Sequence, residues 1–263
     1  MAGRNGAPSG YVRAVDVLQL TRELIAIEST TGREGRVGKW VADRLESEGW
    51  TVTRQPVAGG DPTMPEPRVN VLAVDEPGVD PQVVLTTHLD TVPPYIPLSE
   101  DETYLFGRGT CDAKGIFAAQ WVAANRLREE GVKGVALLGV VGEETDSCGA
   151  KAVGEILPRA RWIIDGEPTD SLLTSAAKGV LAVEVVARGV AGHSAYPERG
   201  RSAVHDLVGS LSEVLADELP WEQDFGPTTV NVGTINGGVA GNVLAPEARA
   251  LLVVRCGTEL DRV

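Results

Sequence analysis

Cysteine and histidine are both scarce in this chain of 263 residues, which has three of each. Cys111, Cys148 and Cys256 stand in unrelated contexts and form no C-x-x-C pair, which excludes a disulfide-stapled secreted scaffold and suits a reducing compartment. Positive charge is the minority: 24 Lys and Arg face 37 Asp and Glu, a formal balance of −13. That average supplies no basic surface to hold nucleic acid or an anionic membrane, so neither is expected as a partner. Long apolar runs are missing as well. No stretch approaches the roughly 18 residues that a membrane span requires, and the opening MAGRNGAPSGYVRAVDVLQL has no continuous apolar segment of the signal-peptide kind. The expectation is a cytoplasmic protein. No internal repeat, low-complexity tract or Pro/Ser-rich linker interrupts the chain.

What is there is an ordinary globular composition, 43% hydrophobic and 23% charged, which excludes disorder and fibrous architectures. Apolar residues at helical spacing predict helices over 14–28 and 35–48, joined by a turn at 29–32, and a third helix over 114–130. Strands are predicted at 50–57 and 70–74 around a Gly/Pro-rich loop. Three continuous apolar runs, 82–87, 134–141 and 161–164, read as strands buried on both faces, and the helix between the first two fits a βαβ crossover. Past Thr169 the texture changes to an alternating strand at 179–188, a helix at 201–215, and strands at 228–235 and 247–255. The expected fold is therefore α/β, a mostly parallel-core sheet flanked by helices over 1–177, followed by a separate α+β unit over 178–263.

Each apolar run in the first part ends in polar chemistry: His88-Leu89-Asp90, Gly142-Glu143-Glu144 and Asp165-Gly166-Glu167. Open α/β sheets place their active sites at these carboxyl ends. With Asp112 of GRGTCDAKG, one imidazole and several carboxylates would gather at one edge, costly to bury unless divalent cations neutralise them. A mixed nitrogen and oxygen donor set without thiolate suits zinc, with manganese or cobalt as alternatives. His88 is read as a ligand and Asp90 as the group that orients its imidazole. Asp112, between glycines, is the candidate bridge between two cations. Of Glu143 and Glu144, whose side chains point to opposite sides in extended backbone, one would bind metal and the other would act as general base. Asp165 is read as a local hydrogen-bond acceptor, His205 as a helix-surface or packing residue, and Cys111 as a small buried thiol. The glycines of GRGTCDAKG do not make a phosphate loop, since no G-K-[ST] follows.

Five ordered motifs, TTHLDTVPP, GRGTCDAKG, VVGEETDSCGAK, DGEPTD and AGHSAYPERG, closely resemble the co-catalytic zinc amidohydrolases and peptidases that include acetylornithine deacetylase, succinyl-diaminopimelate desuccinylase, aminoacylases and glutamate carboxypeptidase. The match spans most of residues 15–255, and the wording is closest to the acetylornithine deacetylase branch. The resemblance implies two Zn2+ per subunit: His88 and Glu167 on one, Glu144 on the other, Asp112 bridging, Glu143 as the base that activates water, and Asp90 behind His88. It implies a cis peptide at Asp112–Ala113. It implies hydrolysis of a linear amide, most closely deacylation of an N-acyl amino acid such as N-acetylornithine in amino-acid biosynthesis, with dipeptidase, carboxypeptidase or succinyl-diaminopimelate desuccinylase activity as the alternatives. The unit from 178 onward then becomes an inserted lid that pairs two subunits into a homodimer, His193 reaching the neighbouring site to stabilise an oxyanion, and Asn242 and Arg255 meeting substrate. The family's last metal-binding histidine comes from beyond the lid, and neither His193 nor His205 matches it. By the resemblance both domains are incomplete at the C-terminus: the chain is either part of a longer product or a non-catalytic module with a partial metal site.

Overall fold

The computed structural model describes residues 16–157, 159–174 and 176–257. The chain divides into two compact units, Met1–Ser171 and Leu172–Val263. Ala14 and Val15 of the first expected helix lie outside the described residues. No helix among the described residues is long and apolar enough to cross a membrane.

The first unit holds helices α1 (Val17–Ile25), α2 (Gly35–Ser47), α3 (Lys114–Glu129) and the short α4 (Cys148–Ala152). Its strands are β1 (Thr51–Pro56), β2 (Val69–Val74), β3 (Val83–His88), the two-residue pair β4 (Ser99–Glu100) and β5 (Leu105–Phe106), then β6 (Val135–Val140) and β7 (Trp162–Asp165). Five of them form one sheet in the order β1-β2-β6-β3-β7. β3 runs parallel to both β6 and β7, whereas β1 and β2 are antiparallel additions on the other side. The sheet is therefore mixed, with its parallel part confined to β6, β3 and β7. β6 is buried along its whole length, and its alternate residues enter different cores. Val135 and Leu137 face a cluster with Leu24, Val41, Phe117 and Trp121 from the three long helices. Ala136, Leu138 and Val140 face a second cluster, closed by Val153, Ile156 and Leu157 after α4. Period-two burial on both faces explains why the run lacks polar residues.

The same reasoning fails for β7. Trp162, Ile163 and Ile164 are 63%, 56% and 51% exposed, because neither face of the sheet is covered at β7 among the described residues. An apolar run here does not report two-sided burial. α1 begins at Asp16, whose side chain accepts from the Leu18 N–H at 2.9 Å. α2 can lie close to β2 because it presents glycine there: a Cβ at Gly38 would come within 2.9 Å of Val69 Cγ2.

The second unit contains β8 (Gly179–Arg188), α5 (Ala203–Ala216), the small hairpin β9 (Trp221–Glu222) and β10 (Gly226–Pro227), and strands β11 (Thr229–Gly237) and β12 (Glu247–Cys256). The three long strands make an antiparallel sheet in the order β11-β12-β8. β12 alternates buried and exposed positions, and its Ala248, Ala250 and Leu252 pack with Leu207 and Leu211 of α5.

Candidate metal centre

The parallel strands carry their polar residues to one edge. His88 closes β3 and pairs with Val140, the last residue of β6, so the segment that follows β6 emerges beside it. That segment turns at Gly142, in left-handed backbone, and delivers Glu143 and Glu144. Asp112 arrives from the loop before α3, and the Asp112–Ala113 peptide is cis. The ligand atoms of His88, Asp112 and Glu144 all lie within 4.8 Å of one another. His88 is buried, whereas half of the Asp112 side chain faces solvent, so the cluster is open on the carboxylate side.

Both ring nitrogens of His88 face acceptors. Nε2 lies 2.8 Å from Asp112 Oδ1 and Nδ1 2.9 Å from the Asp90 carbonyl oxygen. Burial works against a charged imidazole, but the Asp90 side chain and backbone, with Asp112, override it and push His88 up to about 10. The group nearest Nδ1 is thus the backbone carbonyl of Asp90, its carboxylate being 3.6 Å away. That carboxylate has other work. Its Oδ1 accepts the Glu143 N–H at 3.0 Å, and its Oδ2 accepts the Glu144 N–H at 3.2 Å and the Thr31 hydroxyl at 2.8 Å. Burial alone would raise Asp90, yet His88 and these donors hold it below the usual carboxylate range.

Glu167 follows β7 and is not part of the three-residue cluster among the described residues. Burial, reinforced by Asp165, Glu143 and Asp112 and only partly offset by His88, pushes it up to about 7. Glu144 is also raised, first by burial and then by Asp112. The site therefore crowds acids that resist ionisation, which is the electrostatic condition a divalent cation relieves. With one imidazole and several carboxylate oxygens, the donor set fits zinc, manganese or cobalt.

Two buried side chains brace this edge and escaped sequence reasoning. Lys114 donates to the carbonyls of Leu24 and Ile27 at 3.0 and 2.6 Å, tying the end of α1 to the start of α3, and burial pulls its pKa down to about 7. Gln120 donates to the Thr86 carbonyl at 2.9 Å, while Thr87 Oγ1 donates to the Gly166 carbonyl at 2.6 Å, next to Glu167. The AKG wording after Asp112 was the one available signal for Lys114; nothing marked Gln120.

The second unit sets His193 beside Asn242: Ser194 N–H donates to the Asn242 carbonyl at 2.9 Å, and His193 bridges Val243. His193 Nδ1 accepts the Ala195 N–H at 3.1 Å, so the neutral ring carries its proton on Nε2. Arg255 is not brought to this pair. It lies near the far end of β12, paired with Val180 and Thr229, while Asn242 precedes the start of that strand. His205 is exposed on the first turn of α5, as expected. Cys111 corrects the expectation of a buried thiol: it is exposed, in the loop before α3.

A family model described as a peptidase dimerisation domain of the M20 type matches residues 175–262. A protein named a probable carboxypeptidase from Neosartorya fischeri is 41% identical over 278 aligned positions, covering 93% of this chain and 62% of that protein. The chain thus spans about three fifths of the length of the curated relatives it matches. Among solved structures, a tripeptidase from Staphylococcus aureus gives a TM-score of 0.69 at 23% identity, covering 94% of this chain and 67% of that one. A dinuclear metal binding peptidase of the M20 family from Bacillus subtilis gives 0.60 at 16%, covering 94% and 65%. At such identities the structural likeness speaks for the fold, while the sequence relatives and the matched dimerisation domain identify the lineage: this chain belongs to the M20 peptidase family.

Proposed function

We propose that this chain carries the water-activating half of a metal-dependent peptidase that hydrolyses a linear amide in a small peptide or acyl amino acid, of the carboxypeptidase or dipeptidase kind. The observation that carries the reading is the convergence of His88, Asp112 and Glu144 within 4.8 Å at the carboxyl edge of the parallel strands. In this reading the site would hold two divalent cations, taken to be zinc: His88 and Glu167 would serve one, Glu144 the other, and Asp112 would be shared between them. A cation bound there would polarise an amide carbonyl and make water a better acid. Glu143 takes the proton of the attacking water and returns it to the leaving nitrogen. Its backbone is held by Asp90 Oδ1 at 3.0 Å, which fixes where that carboxylate starts from.

The second unit pairs two copies of the chain, and the match to a dimerisation domain supports this. His193, with its Nε2–H free of the Ala195 contact, supplies a donor to the developing oxyanion of the partner's site. Asn242 contacts substrate from the same loop cluster, and Arg255 remains assigned to a substrate carboxylate although it lies near the other end of β12. The three cysteines, all free, suit work in the reducing cytoplasm.

The names of the relatives favour a carboxypeptidase substrate over N-acetylornithine. The test is a panel of dipeptides, C-terminally extended peptides and N-acyl amino acids, assayed with Zn2+, Co2+ or Mn2+ on the chain and on any longer product that contains it. Release of free amine that disappears in Glu143→Gln is the expected result. Turnover that persists in Glu143→Gln, or its absence with every substrate and metal in both preparations, would overturn the reading.

A further inference from the structure

The segment joining α1 to α2 reads in the sequence as a turn, but it docks along the residues that follow β3. Ser29 Oγ donates to the Leu89 carbonyl at 2.7 Å, the Thr91 N–H donates to the Ser29 carbonyl at 3.0 Å, and the Thr31 N–H donates to the Thr91 carbonyl at 3.0 Å. Thr30 and Thr91 form a parallel bridge in the middle. Ser29, Thr30, Asp90 and Thr91 are all buried. This short ladder fixes the Thr31 backbone, and its hydroxyl then has one short contact to a carboxylate: Asp90 Oδ2, at 2.8 Å.

Asp90 is the piece through which that contact matters. Its two oxygens hold the backbone amides of Glu143 and Glu144, one each, and so set the course of the loop that bears both acids. With each oxygen already holding one loop amide, a third donor locks the buried carboxylate in the one orientation that serves both. Thr31 is that donor: its hydroxyl shares Oδ2 with the Glu144 N–H and comes from 59 residues earlier in the chain.

We propose that Thr31 is a positioning residue: its hydroxyl fixes the Asp90 carboxylate so that it grips the Glu143 and Glu144 amides and presents those two acids to the site. The chemical consequence rests on the metallopeptidase reading, whereas the structural claim does not. Outer-shell hydrogen-bond partners of this kind typically change metal affinity about 10- to 100-fold when removed.

The experiment compares the full chain with Thr31→Val, Thr31→Ala and Thr31→Ser, using amide hydrogen exchange and titration with Co2+. Removing the hydroxyl accelerates exchange at Glu143 and Glu144 by about tenfold relative to amides inside β6, and weakens Co2+ binding by about tenfold. Thr31→Ser, which keeps the donor, returns both to wild-type values. The proposal is overturned if the valine and alanine variants exchange at Glu143 and Glu144 as the wild type does, or if exchange rises equally across β6, which marks general destabilisation. It is equally overturned if serine fails to rescue. Wild-type chain that binds no Co2+ would sink the metal reading and leave the exchange comparison to judge Thr31.

Discussion

In the metallopeptidase reading a divalent cation and protons would compete for the same atoms at the edge of β3, and the competition has a predictable size. Nε2 and Nδ1 of His88 both face oxygen acceptors, so without a cation the ring carries two protons at neutral pH, in keeping with a pKa pushed up to about 10. A ligating imidazole must be neutral. Nδ1 keeps its proton against the Asp90 carbonyl, and Nε2 gives one up. At pH 7 that costs the gap between about 10 and 7, roughly 4 kcal/mol at 1.36 kcal/mol per unit. The sign is fixed: cation binding favours the deprotonated site, so apparent affinity rises about tenfold per pH unit above 7 from His88 alone. Below pH 7 the slope steepens, because Glu167, raised to about 7, is then largely protonated and must also lose its proton to join the cation on His88. Calorimetric titration with Co2+ in buffers of matched pH and different ionisation enthalpies reads the number directly. About one proton should leave per cation at pH 8, and distinctly more than one at pH 6.5 if Glu167 takes part. An affinity independent of pH between 6 and 8, with no proton released, would refute the assignment of His88 as a ligand.

Three further outcomes follow from the packing behind the site. Arg68 Nη1 lies 3.6 Å from Glu34 Oε1 with both side chains buried, so Arg68→Met should cost about 3–5 kcal/mol in denaturant titration and Glu34→Gln in that background should recover part of it. Because burial already raises Glu34, the Arg68→Met penalty is greatest at neutral pH and shrinks as pH falls through the raised Glu34 pKa, levelling off only below 4.5, where the carboxyl is protonated in the folded and the unfolded chain alike. Gly142→Ala places a Cβ in left-handed backbone against Cys148 Sγ and Arg68 Nη2; a loss of about 1–2 kcal/mol in stability from the backbone alone, with weaker Co2+ binding, is expected from melting and titration. Leu137→Ala, at a fully buried position of β6, should cost about 2–5 kcal/mol by chemical denaturation with secondary structure retained by circular dichroism.

How much of this was legible in the residues depends on the range of the interaction. Continuous apolar runs ending in His88, Glu143 and Glu144 announced buried strands with chemistry at their carboxyl ends, because two-faced burial and strand direction are local properties of the pattern. The same rule misses the exposure of β7, since burial there depends on what covers its two faces and not on Trp162, Ile163 and Ile164 themselves. α4 was missed for a different reason: five residues are too few to display a period. Within the site, the approach of His88, Asp112 and Glu144 to one another follows from strand ends and a glycine-rich loop, whereas what holds them there does not. Asp90 reads as the carboxylate behind His88, and the structure sets that carboxylate 3.6 Å and the Asp90 carbonyl 2.9 Å from Nδ1, while both carboxylate oxygens also hold the loop of Glu143 and Glu144. Thr31 and Lys114 act across 59 and about 90 residues of chain, on a carboxylate and on helix-end carbonyls respectively. A hydroxyl in a turn and a lysine after a glycine-rich loop carry no periodic signature, so their roles exist only once the fold has brought β3, α1 and α3 to the same edge.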